Sequence, residues 1–239
     1  MGKFLNIMKG MLVAALVLVL YAFSSFRNNA QPIANVQVDF VGDNTLYISK
    51  STVNKLLIQN QESLECVSKE VLDLKGLESK LSSHQMIESA EAYLTVNGEV
   101  KLEITQRKPI ARVVSEPPFY IDSYGKMMPL SDEHSARVML VHGPDNVATI
   151  PQVFEVIKAI KKDQFLNLNV TDITVDIESK VSVRLRDCDF EVIIGNTDRL
   201  NQKFRNLKAF YQKAKSDNII QQYKSINLQF DHQVVCTKK

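Results

Sequence analysis

The chain has 239 residues, enough for one large or two small domains with appendages. Hydrophobic residues make up 45% and charged residues 23%, which fits a packed core and excludes a disordered chain. The formal charge is +2, from 29 Lys and Arg against 27 Asp and Glu, so the basic excess of a nucleic-acid-binding protein is missing.

Met11 to Phe23 (MLVAALVLVLYAF) carries no charge and no helix breaker, and the uncharged run extends from Gly10 to Phe26. That is about 25 Å of helix, and with Phe4 to Met8 and a snorkelling Lys9 it approaches the roughly 20 residues a bilayer needs. Lys3 and Lys9 precede the run and only Arg27 follows closely. The positive-inside bias then keeps the N-terminus in the cytoplasm and exports the rest. A cleaved signal peptide is the competing reading, although SSFRNNA offers no small-residue cleavage site.

Gln31-Pro32 closes a linker, and Ile33 to Val41 alternates apolar and polar residues as a strand does. After Gly42-Asp43-Asn44, Ser49 or Ser51 can cap a helix carrying Val53, Leu56, Leu57 and Asn60. Asp73 can cap a second, with Leu74, Leu77 and Leu81 on one face. Ala90 to Val96 and the row Val100, Leu102, Ile104 alternate on either side of Asn97-Gly98, the signature of a hairpin whose two turn residues both have positive φ. The order strand, helix, helix, strand, strand predicts a three-stranded sheet with two helices on one face.

Pro109 opens a β-rich half with two helices. Strands are expected at Ile110–Val114, Phe119–Ile121 and Val138–Val141, with a turn at Asp122–Gly125 and breaks at Pro129 and Gly143-Pro144. Pro151 suits the first position of a helix through Phe154, Ile157 and Ile160. A meander follows, with the rows Ile173, Val175, Ile177, then Val181, Val183, Leu185, then Phe190 to Ile194. A helix over Asp198–Lys215 has the apolar stripe Leu200, Phe204, Leu207, Tyr211, Ala214, and its Arg199, Lys203, Arg205, Lys208, Lys213 and Lys215 read as a solvated face in preference to a contact for anionic lipid or another acidic surface. Ser225 to Val235 closes the chain as one strand, with Ile226, Leu228 and Phe230 on one face.

The chemistry-bearing residues are sparse. His84, His134, His142 and His232 lack a second ligand at metal-binding spacing, and no phosphate-cradling or nucleophile motif occurs. No cofactor, metal or small-molecule substrate is expected, and no catalytic residue. Asp122 in YIDSYG reads as a turn aspartate bonding its own backbone. Cys66, Cys188 and Cys236 read as buried thiols, with a Cys188–Cys236 pair left open because both fall in expected strands. The terminal strand is either an exposed edge, which a partner strand can satisfy, or a protected core strand.

Ile104 to Val113 (ITQRKPIARV), Phe119 to Leu130 (FYIDSYGKMMPL) and Tyr223 to Phe230 (YKSINLQF), in that order and spacing, resemble the FtsQ/DivIB family of bacterial cell-division proteins. The first soluble unit resembles a POTRA domain, and the Q-R-x-P-I and M-P-L-S style most resembles the Bacteroidetes branch. The resemblance implies an α+β protein: cytoplasmic tail 1–9, transmembrane helix 10–26, linker 27–32, POTRA-like domain 33–108 with order β-α-α-β-β, and β domain 109–239. It implies a non-enzymatic septal scaffold in the inner membrane, with its bulk in the periplasm, that holds FtsB-like and FtsL-like single-span proteins. It also implies that the last strand takes the partner, which singles out Ile226, Leu228, Gln229, Phe230, Asp231 and His232, with Phe230 as the aromatic contact. Gln106 stands where many relatives have glutamate, and the tail DHQVVCTKK departs from the Gly-rich tails of well-known members. Two other classes stay open: an envelope assembly factor acting on client strands through its POTRA-like unit, and an exported enzyme with an unrecognised site.

Overall fold

The computed structural model describes residues 2–29, 35–42, 47–58, 72–95, 97–143, 149–231 and 233–239. The chain forms two compact units, Met1–Gln106 and Arg107–Lys239. Cys66, Asn60, His232 and the linker prolyl at Pro32 lie outside the described residues.

Helix α1 (Gly2–Asn29) carries an apolar run with Lys9 as the one charge between Met8 and Ser24, and its large apolar side chains from Met8 to Phe23 are exposed. Among the described residues no helix is long and apolar enough to cross a membrane.

The rest of the first unit comprises β1 (Asn35–Val41), α2 (Lys50–Ile58), α3 (Leu74–Ser82), β2 (Ile87–Leu94) and β3 (Glu99–Gln106). Ser49 begins α2, its Oγ accepting the Thr52 N–H at 3.3 Å. Asp73 caps α3 by accepting the Gly76 N–H at 2.9 Å. The strands are ordered β1-β3-β2, with β1 parallel and β2 antiparallel to β3. Central β3 buries Val100, Leu102 and Ile104 completely, as its period-two pattern requires. At the hairpin turn the Gly98 N–H bonds Thr95 C=O at 3.0 Å, and Gly98 takes the positive φ that the reading expects of it, +84°.

At the end of β3, Gln106 is 4% exposed. Its Oε1 accepts the Tyr47 N–H at 2.9 Å and its Nε2 donates to Ile48 C=O at 3.0 Å. An amide can do both at once, and an ionised glutamate can only accept. Glutamine therefore fits the backbone it touches.

The second unit is a nine-stranded mixed sheet among the described residues, built from β4 (Pro109–Val113), β5 (Phe119–Asp122), β6 (Met127–Pro129), β7 (Met139–His142), β8 (Val170–Val175), β9 (Val181–Leu185), β10 (Glu191–Gly195), β11 (Tyr223–Asn227) and β12 (Val235–Lys238). Its order is β12-β11-β10-β9-β8-β7-β4-β5-β6. Helices α4 (Ile150–Lys161), α5 (Gln164–Asn169) and α6 (Leu200–Ser216) contribute Val156, Ile157, Ile160, Leu166 and Leu207, all fully buried, to its core. Three helices thus stand where two were expected. Six-residue α5 is too short to show a helical period, and its start is fixed by Asp163, whose side chain accepts the Leu166 N–H at 3.1 Å. Ile177, read as a third inward residue of β8, is 95% exposed, because the strand ends at Val175 and Asp176 turns the chain by accepting the Lys180 N–H.

The Asp122 turn is as the sequence reads. Asp122 is 1% exposed and its Oδ1 accepts the Tyr124 and Lys126 N–H groups at 2.9 and 2.8 Å. Arg107 reaches its other oxygen at 3.3 Å. Gly125 has φ +79°, and a Cβ there would lie 3.0 Å from the Phe154 ring, so any other residue is strained in backbone and crowded against that ring.

Cys188 sits in the turn between β9 and β10 rather than in a strand, and Cys236 lies on β12; both are free thiols that burial pushes up in pKa.

Candidate functional site: the sheet edge at β12

The expected closing strand is two strands. β11 ends at Asn227, whose Oδ1 accepts the Gln229 N–H at 2.9 Å and turns the chain out of the ladder. The chain then reverses, and β12 pairs antiparallel with β11 in the register Ile226↔Cys236 and Asn227↔Val235. β11 is consequently flanked on both sides, by parallel β10 and by β12, and is no edge. The outermost described strand here is β12, and its outer row of backbone groups has no ladder partner among the described residues. At the other end, β6 is three residues long and closes on Pro129, which cannot donate.

The residues singled out in the sequence divide. Ile226 and Leu228 are 0% and 2% exposed and belong to the core, with the Leu228 N–H still bonded to Ile193 C=O at 2.9 Å. Phe230 does not share their face: it is 48% exposed. Gln229 crosses Gly195 so closely that a Cβ there would lie 2.4 Å from its Nε2. Asp231 forms an ion pair with Arg199 at 2.6 Å. Leu228, Phe230 and Asp231 meet Arg199, Gln202, Lys203 and Asn206 in one shallow depression at the start of α6.

Lys203 is the residue the sequence reading placed wrongly. It is 6% exposed, and its Nζ donates to Ile194 C=O at 2.9 Å and to Asn196 C=O and Oδ1 at 2.8 Å each. All three ammonium protons are used, which is what tolerating a buried lysine demands. Burial pulls its pKa below the ordinary lysine value, with Asp198 acting in the opposite sense. The signal was present in the sequence: Lys203 lies between Leu200 at i−3 and Leu207 at i+4, inside the apolar stripe. The remaining cations of the helix do not form a uniformly solvated face either, because Lys208 pairs with Asp163 and Lys213 with Asp217.

The site combines an unpaired strand edge at β12 with an exposed Phe230 on a segment tied to α6 by the Arg199–Asp231 ion pair. Among the described residues no group of three His, Cys, Asp or Glu side chains could hold a metal ion.

Comparison with known proteins places the chain. Residues 108–237, more than half of the chain, match the family described as FtsQ/DivIB, C-terminal related. The chain belongs to the FtsQ/DivIB family. Residues 35–105 match a POTRA-like domain. The chain is also similar to the cell division protein FtsQ of Salinibacter ruber (strain DSM 13855 / M31), with 24% identity over 176 residues. That match covers 65% of this chain and 66% of the relative, so the chain spans just under two thirds of the relative's length. The POTRA-like match falls within the first unit and the FtsQ/DivIB match within the second.

Proposed function

We propose that this chain is a non-enzymatic, membrane-anchored scaffold of the cell-division complex, which holds FtsB-like and FtsL-like single-span proteins on its exported side. The observation that carries the reading is β12, an edge strand with open backbone groups among the described residues, together with exposed Phe230 on the segment that follows β11. A partner strand adds there, and Phe230, with Asp231 and Gln229 at its sides, receives a partner side chain. Ile226 and Leu228 serve only to seat that segment on the core. Family membership and the similarity to a protein named for cell division support the same reading.

The anchor is α1. Its apolar run and the placing of Lys3 and Lys9 before it support a cytoplasmic N-terminus, a span at 10–26 and a periplasmic bulk in the inner membrane. The linker 27–32, the recruitment unit 33–108 and the partner-holding unit 109–239 follow.

A fluorescent fusion of the full chain tests the role. Rings at midcell that co-purify the two single-span proteins are expected. Uniform envelope signal with neither protein retained overturns the scaffold reading.

A further inference from the structure

A second surface of the Arg107–Lys239 unit, away from the residues of the β12 edge, is built from two adjoining clefts. The first, of about 470 Å³, lies at the start of β7 and β8 and is lined by Arg137, Arg186 and Lys161 over Leu140. The second, of about 480 Å³, lies between the Asp122–Gly125 turn and α4 and is lined by Tyr124, Phe154, Lys158 and Lys162. Ile110 and Lys161 belong to both, so the two form one continuous groove.

The charges in and around this groove do not balance. Asp172, which lines the first cleft, and Asp163 and Asp122 nearby are already occupied. Asp172 accepts from Thr171 Oγ1 at 2.7 Å and faces His142 Nε2 at 3.1 Å. Asp163 is paired with Lys208, and Asp122 with Arg107 and its own turn. Among the described residues, the side chains of Arg137, Arg186, Lys158, Lys161 and Lys162 have neither a hydrogen bond nor an ion pair. Lys161 is held below the ordinary lysine value by burial and then by the positive charge of Lys108. The far end is different in kind. Tyr124 is 63% exposed, and the half-buried Phe154 ring lies against Gly125, so an apolar aromatic platform adjoins the cation cluster.

We infer that this groove binds an extended acidic peptide segment of a second envelope protein. Its carboxylates meet the Arg137 and Arg186 guanidinium forks and the Lys161 ammonium. An apolar side chain of the same segment lies on Tyr124 and Phe154. Guanidinium groups match carboxylates in a bidentate manner, and the aromatic half supplies the desolvated anchor that charge alone lacks. A bilayer surface is too flat to enter paired clefts, and a small anion would leave the aromatic end unused. The inference does not rest on the β12 edge.

The test uses the full chain in detergent micelles and fluorescence polarisation. The probes are a labelled peptide of alternating Glu and Leu, its Gln-Leu counterpart, an all-Glu peptide, and vesicles containing phosphatidylglycerol. The Glu-Leu peptide is expected to bind best. Its affinity should fall about tenfold or more on Arg137→Glu with Arg186→Glu, and about fivefold on Tyr124→Ser. These side chains are at the surface, so melting temperatures should stay near that of the parent, and Lys161→Met provides a charge-neutral second variant. Equal binding of the all-Glu peptide with no effect of Tyr124→Ser reduces the groove to nonspecific attraction and overturns the inference. So does binding of vesicles without binding of peptide, or indifference to the charge reversals and to Lys161→Met.

Discussion

The guanidinium of Arg199 stands 2.6 Å from the carboxylate of Asp231 and ties the start of α6 to the turn that follows β11. Both side chains are more than half exposed, so the pair adds little to global stability. Its effect is local. Leu228 on one side of Phe230 is sunk in the core and Asp231 on the other is held by Arg199, so the aromatic is displayed on a segment fixed at both ends. A display that is already ordered loses less entropy on binding.

Phe230→Ala should weaken retention of the membrane partners by about 2 kcal/mol or more, with the fold kept because the ring is half exposed. Prolines at Val235 and Cys236 of β12 separate the two sides of the edge strand. Neighbouring residues point their N–H groups in opposite directions, so one proline removes an outward donor and the other an inward ladder bond. Partner loss with native circular dichroism is expected in one of them and loss of the hairpin in the other. Full retention of partner in Phe230→Ala and in both proline variants contradicts strand addition at this edge.

Lys203→Met keeps the stem and removes the ammonium. Ile194 C=O and Asn196 C=O then lose their donor. The cost should be about 2–3 kcal/mol by urea denaturation, in line with leaving buried acceptors unpaired. A loss under about 0.5 kcal/mol indicates that these carbonyls find other donors.

Gln106→Glu tests the two-way amide. The ionised carboxylate still accepts from Tyr47 but cannot donate to Ile48 C=O, and it is buried. A destabilisation of about 2–4 kcal/mol is expected at neutral pH. Burial raises the folded-state pKa of the new carboxyl above its unfolded value of about 4.3, so the penalty grows above that value and fades below it, where the protonated acid can donate. The gap in melting temperature between variant and parent should therefore narrow toward pH 4, and a gap independent of pH argues against this account.

Asp163 works in the opposite direction. The hydrogen bond from Lys208, followed by its bonds to the backbone N–H groups of α5, holds its carboxyl below the ordinary aspartate value, against a burial effect of opposite sign. Its stabilising share is complete above the unfolded value of about 3.9 and is lost as pH falls through the lower folded value. Asp163→Asn should flatten this acid limb of the stability curve. It should cost about 1 kcal/mol at neutral pH, when helix capping is kept but the charge is lost.

Much of the architecture was legible because local patterns and global burial agree. The alternation of Val100, Leu102 and Ile104, the stripe of α6 and the capping aspartate of α3 each carry their own physical signal. What was missed turned on single polar groups. Asn227 ends β11 through one side-chain bond, and an alternating pattern that continues to Phe230 conceals it. Lys203 and Gln106 occupy inward positions of their helix and strand, but only acceptor and donor partners outside their own elements explain why a polar residue can remain there. Edge or core stayed open for the terminal segment, and its division into β11 and β12 was hidden, because sheet order depends on how β10, β11 and β12 return past one another, which periodicity does not encode.

The parallel pairing of β1 with β3 has a mechanical consequence. Asn35 is level with Glu99 and Val41 with Thr105, so the chain enters this unit at one end of the paired strands and leaves it near the other, about 20 Å away. A pull applied between those two points acts along the strands. It must shear every rung of the ladder together, where a pull across the strands would peel them apart one at a time. In the proposed scaffold, where this unit separates the anchor from the partner-holding sheet along the chain, that pairing suits it to carry tension.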